Sequence, residues 1–188
     1  MAASRYNRKH TKAVAATALP RKNRIIRIFL NGLFFVGIVL FFLEITIYRR
    51  TLIPIYIPVN IFLITGFTAT FLLKRVLMIY AKMPSFLVRS IYGLVAFGML
   101  ATFLFMWTNE LFAGKSTRVT QNAIVSSGYM TQRKSKCKRP YVVVDYEGLL
   151  HKRFILGCGV ITEGRENVVL EVAAGKWGFD VVKRVVLR

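Results

Sequence analysis

Residues 28–48, IFLNGLFFVGIVLFFLEITIY, run for about 21 positions with one carboxylate near the far end. Coiled as a helix, such a stretch crosses roughly 30 Å of hydrocarbon. A signal peptide has a shorter apolar core and a small-residue cleavage site; neither is evident, so the segment is expected to stay as an anchor. Two more apolar stretches follow. Residues 52–73 carry Pro54 and Pro58 in their opening turns, where a missing backbone donor costs least, and the helix is expected to start after Pro58. Residues 86–107 have Arg89 near their start and end on Trp107, a residue type suited to the membrane interface.

Orientation follows from the cations, because Lys and Arg resist translocation. Eight of them, from Arg5 to Arg27, precede the first span with no acid among them, and Lys74, Arg75, Lys82 and Arg89 sit in or beside the loop after the second. Only Arg49 and Arg50 occupy the loop between the first two spans. This bias puts the amino terminus in the cytoplasm, and three spans then place the carboxy-terminal part across the membrane, as in a bacterial inner-membrane protein with an exported domain. An acid-free, alanine-containing amino terminus is also compatible with an organellar transit segment.

Asn31, Glu44 and Asn60 are the polar exceptions within the spans. An intramembrane acid raises the question of an ion path, but such a path needs several facing acids. Glu44 lies about one turn from Tyr48 and Arg49, so it is expected to reach the interface or pair with Arg49 or Arg50. The glycine pairs 32/37 and 93/98 are five residues apart, not the four of close-packed helix dimers, and are expected to ease ordinary helix contacts.

From about residue 115 the apolar runs shorten and valine and glycine recur. Strands are expected near 118–126, 141–146, 149–156, 167–172 and 180–187, with turns at Glu147-Gly148, 162–166 and 174–178. Five short antiparallel strands in about 70 residues imply a small barrel or sandwich traced as a meander. The chain thus divides into a basic, disordered tail (1–27), a three-helix transmembrane domain (28–108) and a small β domain (115–188).

Overall, 28 Lys and Arg stand against 8 Asp and Glu, a formal charge of +20 on a chain that is 55% hydrophobic. Greasy and basic together favour a membrane protein facing anionic surfaces. The densest cationic run is Arg133, Lys134, Lys136, Lys138 and Arg139, between the first two strands, and it suits anionic lipid, glycan or an acidic protein face. Nucleic acid fits the charge as well, but only if the domain is cytoplasmic. Trp177 and Phe179, in the last turn, either add to this contact surface or cap the small core. Cys137 and Cys158 are the only cysteines, too few for a disulfide framework; they form one bridge in an oxidising compartment or remain thiols in a reducing one. His151 is the only histidine near them, which leaves too few ligands for zinc.

No catalytic constellation stands out. Asp145 and Glu147 alternate on one strand and share a face, yet Glu147 is explained by its turn, and His151 is expected to point to solvent. There is no phosphate-cradling glycine loop, nucleophile elbow or metal-ligand spacing, so neither an enzyme nor a cofactor is expected.

AIVSSG at 123–128, YVVVDYEG at 141–148 and VVLEVAAGKWGFDVVKRVVL at 168–187 give the pattern strand, polar loop, strand with an acidic-glycine turn, then a late glycine turn into a final strand. In this the tail resembles a group of uncharacterised bacterial membrane proteins in which helices carry a small β-module. The resemblance implies the module's shape and no activity. The expectation is therefore a membrane protein that acts as a binding or assembly component of an envelope complex through a protein partner. The alternatives are an accessory subunit of a small transporter or channel, and a cytoplasmic tether for nucleic acid.

Overall fold

The computed structural model describes residues 21–115, 117–131, 138–146, 150–162 and 164–188. The expected tail up to residue 20 and the Glu147-Gly148 turn lie outside them. Helix α1 (Arg21–Arg50) is followed by α2 (Tyr56–Leu72), a short α3 (Lys74–Ile79) and a composite helix. The composite consists of α4 (Phe86–Gly93), a π-helical turn (Leu94–Gly98) and α5 (Met99–Leu111). Two of these, Arg24–Arg50 within α1 and the composite Phe86–Leu111, are long and apolar enough to cross a membrane, and α2 is a shorter apolar helix. Only 17% of the most apolar stretch of α1 and 33% of that of the composite helix are buried inside the protein, whereas the core helix of a soluble protein is mostly covered.

Helix α2 starts at Tyr56, ahead of Pro58 rather than after it. Pro58 falls at the third helical position, where an N–H would have had no intrahelical acceptor, so the ring costs little there. Leu52 and Ile53, at the start of the expected second stretch, belong instead with Thr51 to a link that leaves the helices altogether.

Helices α1 and α2 each lie against the composite helix rather than against each other. The spacing of Gly93 and Gly98 is explained by the π turn, whose i→i+5 bonding accommodates one extra residue per turn and brings both onto one face. A Cβ on Gly93 would lie 2.1 Å from the Thr70 hydroxyl and one on Gly98 would lie 2.7 Å from the Phe62 carbonyl oxygen, both on α2. Across the other face, a Cβ on Gly37 of α1 would meet the Val95 carbonyl oxygen at 2.0 Å. Polar links complete the bundle: Tyr92 donates its hydroxyl to the Leu30 carbonyl at 2.6 Å, and Thr70 donates to Gly66 at 2.9 Å and Arg89 at 3.3 Å. Arg89 does not reach out as a surface cation. It is buried, and its guanidinium donates to the carbonyls of Met83 (3.0 Å) and Pro84 (2.7 Å), holding the loop after α3 closed.

The carboxy-terminal part is a five-stranded antiparallel sheet of β1 (Thr117–Thr131), β2 (Lys138–Tyr146), β3 (Leu150–Ile155), β4 (Asn167–Ala174) and β5 (Asp180–Leu187). Its order, β3-β2-β1-β4-β5, is not the expected meander. The reason is the length of β1. Its 15 residues are divided between two neighbours: 117–123 pair with β4, and Ile124 to Thr131 pair with β2. The register slips between Ile124 and Ser126, and a bulge of this kind bends a strand. The bend folds β2 and β3 over β4, so that Val142, Val144 and Phe154 meet Val168, Leu170 and Val172 in one core. The result is a half-barrel, open between its edge strands β3 and β5, rather than a closed barrel or a two-sheet sandwich.

Because Gly37 faces backbone while Gly32 has nothing within 4 Å of an added Cβ, the two positions give a paired test. Gly37→Ala should cost about 1–3 kcal/mol by overpacking, and Gly32→Ala should be neutral or stabilising by up to about 1 kcal/mol. Thermal unfolding of the detergent-solubilised chain reads both.

Candidate functional site

The half-barrel is fastened to the helix ends by residues that the sequence reading passed over. Thr51 forms a β-bridge with Val181, and the Leu52 N–H donates to the Asp180 carbonyl at 2.7 Å, so the link between α1 and α2 adds a short piece of strand to the start of β5. The Leu52 side chain enters the sheet core. From the other side, fully buried Asn109 at the end of α5 donates Nδ2 to the Phe179 carbonyl at 2.9 Å and accepts the Trp177 N–H on Oδ1 at 3.0 Å. Gly175 makes room for it: a Cβ there would sit 2.4 Å from Asn109 Oδ1. Trp177 donates Nε1 to the Thr108 hydroxyl at 2.9 Å, and Phe105 stacks on Trp177 and meets Phe179 edge-on, each at 6.1 Å between ring centroids. The last turn, expected either as a contact surface or as a core cap, therefore rests on the protein's own helix, with Trp177 still 53% exposed.

Two further polar groups settle at this junction. Asp180 is buried and accepts from the Tyr146 hydroxyl at 2.5 Å and from the Arg118 guanidinium. Lys152 is buried as well, donating Nζ to the Tyr48 carbonyl and lying 3.5 Å from the centroid of the Tyr48 ring. Burial pushes the Lys152 ammonium down to about 8. Strand alternation carried this signal, since Lys152 shares a face with inward-facing Phe154 and leaves His151 and Arg153 exposed. Asn109 announced itself less clearly, lying just past the apolar run.

The open side of the half-barrel is a cleft of about 890 Å³. Residues 153–158 from β3 onward and 181–185 of β5 line it as consecutive runs, so both free strand edges border it rather than one face of either strand. Arg49, Arg50, Arg139, Arg153, Lys183 and Arg184 converge there with one acid, Glu110, which pairs with Arg50 at 3.9 Å. Of the expected cationic loop, Arg139 reaches this cleft. Arg133, Lys134, Lys136 and Cys137 lie outside the described residues, and Lys138 opens β2. Cys158, at the cleft, is disulfide-bonded.

Glu44 departs from expectation. It pairs with neither Arg49 nor Arg50; it is only 9% exposed, and its Oε1 has no hydrogen-bond partner. The reason is its azimuth on α1, which turns it inward rather than along the helix toward the arginines. Among the described residues, no group of three His, Cys, Asp or Glu side chains could hold a metal ion. What the arrangement offers is anion binding at an open strand edge. No family model, curated protein or solved structure matches the chain.

Two measurements test the junction. Asn109→Ala strands a buried carbonyl and a buried N–H, and should cost about 2–4 kcal/mol, seen as faster hydrogen exchange at the Trp177 amide. Lys152 binds its proton less readily when folded than when unfolded. Between about pH 8 and 10.5 the unfolded chain therefore holds the extra proton, and stability should rise with pH across that window. Lys152→Met should remove this rise, measured as the difference between the two chains in denaturant midpoint against pH.

Proposed function

We propose that the chain is an integral membrane protein of three spans whose β-module receives an acidic, extended segment of a partner protein, as a binding or assembly component of an envelope complex. The bilayer reading is supported by the outward-facing apolar side chains of α1 and the composite helix, such as Phe29, Phe35, Phe42 and Leu87. Helix α2, at 17 residues, is about 25 Å long, enough for the third crossing with slight local thinning. The end of α1, the start of α2 and the end of α5 all meet the half-barrel, so Lys74, Arg75 and Lys82 lie at the opposite end of the bundle. With the start of α1, which carries Arg24 and Arg27, on their side, the charge bias favours a cytoplasmic amino terminus and an exported module.

The observation that carries the binding reading is the bridge from Thr51 to Val181: the free edge of β5 already accepts an added strand, and beyond that bridge it is open. Strand addition supplies affinity through backbone hydrogen bonds, and the cations around the cleft select an acidic occupant. Five arginines and a lysine against the single Glu110 leave a net repulsion in the cleft that an acidic occupant would relieve.

Glu166→Cys, at an exposed position ahead of β4, should react with an impermeant thiol reagent in intact cells, with the native cysteine pair left in place and the parent chain as background. Reaction only after lysis would put the module in the cytoplasm. A photo-crosslinking residue at Ile155 should give one discrete protein adduct, reduced at least tenfold by Lys183→Glu with Arg184→Glu. An adduct unaffected by the charge reversal, or one to lipid alone, would refute the acidic-segment reading.

A further inference from the structure

A second cavity, of about 610 Å³, lies beneath the half-barrel and within the size range of ligand sites. It exists because α1 and α2 both pack on the composite helix and not on each other, leaving a lateral gap between them with α5 as its back wall. Its lower walls are apolar: Phe41 and Ile45 from α1, Val59 and Phe62 from α2, Met99 and Met106 from α5. Its roof is β3, where Lys152 and Arg153 come together with Arg49 from the end of α1. Glu44, over nine-tenths buried and with Oε1 unpartnered, lines the same wall one helical turn below Tyr48, the residue that holds Lys152. From roof to floor the cavity is therefore lined by cations, then about 6 Å deeper by the Glu44 carboxyl with its Oε1 unpartnered, then by hydrocarbon.

We infer that this lateral cleft binds a single-chain anionic lipid, its phosphate at Lys152 and Arg49, its glycerol hydroxyl on Glu44 and its acyl chain between α1 and α2. The layering matches such a molecule group by group. A buried acceptor left without a donor costs about 1–3 kcal/mol, so the occupant should supply one at that depth. Diacyl phospholipids have only ester carbonyls there, which are acceptors themselves; a lipid with one chain has a free hydroxyl. Lys152 spends one of its three donors on the Tyr48 carbonyl and retains two. The inference uses the bilayer placement proposed above but is independent of the strand-receiving cleft and of which way the module faces.

The test is native mass spectrometry of the delipidated full chain in detergent, titrated with lysophosphatidylglycerol and, separately, with a diacyl phosphatidylglycerol. One lyso-lipid should bind per chain, at least tenfold more tightly than the diacyl form. Glu44→Leu should weaken it about tenfold, the worth of one hydrogen bond to a charged group, while Glu44→Gln, which keeps an acceptor, should recover most of the loss. Val59→Trp fills the gap from a partly exposed position and should abolish the specific site, with an unchanged thermal midpoint as the check on folding. Equal affinity for the two lipids, wild-type binding by Val59→Trp, or a second copy of the chain occupying the gap would each overturn the inference. If Glu44→Leu fails to fold, the lipid comparison and Val59→Trp still decide it.

Discussion

A chain that leaves an apolar helix for a β-sheet must keep every buried backbone N–H and C=O partnered through the change, because a buried group left unpaired costs about as much as a lost hydrogen bond. Here residues 51–53 meet that demand. The Thr51 hydroxyl and N–H bond back to the Ile47 carbonyl at the end of α1, while the Leu52 N–H bonds forward to the Asp180 carbonyl of β5. One residue thus ends the helix and the next begins a strand. The Leu52 side chain then occupies the sheet core, so the half-barrel cannot form its full interior without the helices. A small sheet gains most from this arrangement, since it buries too little surface of its own to be strongly stable.

That dependence explains which parts of the molecule were legible in the sequence. The apolar runs, the five strands and the turn at 174–178 rest on local patterns and come through, all the strands within a few residues except β1, which runs five residues past its expected end. The strand order does not, because a single residue slip in β1 between Ile124 and Ser126 redirects everything after it, and no turn residue marks it. Leu52 and Ile53 read as part of the second apolar stretch because Leu-Ile-Pro-Ile is apolar wherever it packs. Lys152 could have been placed by period-two alternation with Phe154, yet its charge argued for solvent; the Tyr48 carbonyl and ring make its burial tolerable. Glu44 was given a partner by helix spacing alone, which says how far along the axis a group lies and little about its azimuth.

The cations, abundant enough to look uniform in the sequence, are sorted by the fold into different tasks. Arg89 closes a loop by binding two carbonyls, Arg118 holds a buried carboxylate at the module's base, and Lys152 pins β3 to the end of α1. Six more, Arg49, Arg50, Arg139, Arg153, Lys183 and Arg184, gather at the open side of the half-barrel, beside two strand edges. Charge at an edge strand ordinarily discourages indiscriminate pairing between sheets. On the reading proposed above, the same charge leaves the edge available to an occupant of opposite sign, so that protection and selectivity would come from one set of side chains.

The π turn at Leu94–Gly98 has an effect that reaches well past its own contacts. One inserted residue advances the helical azimuth by about 100°, so every side chain from Met99 onward points where it does because of that extra residue. Phe105, Thr108 and Asn109 meet the β4–β5 turn in this rotated frame. A lineage lacking the insertion would carry the same apolar helix yet aim a different face at the sheet, and its module would have to seat itself by other side chains or swing free of the bundle.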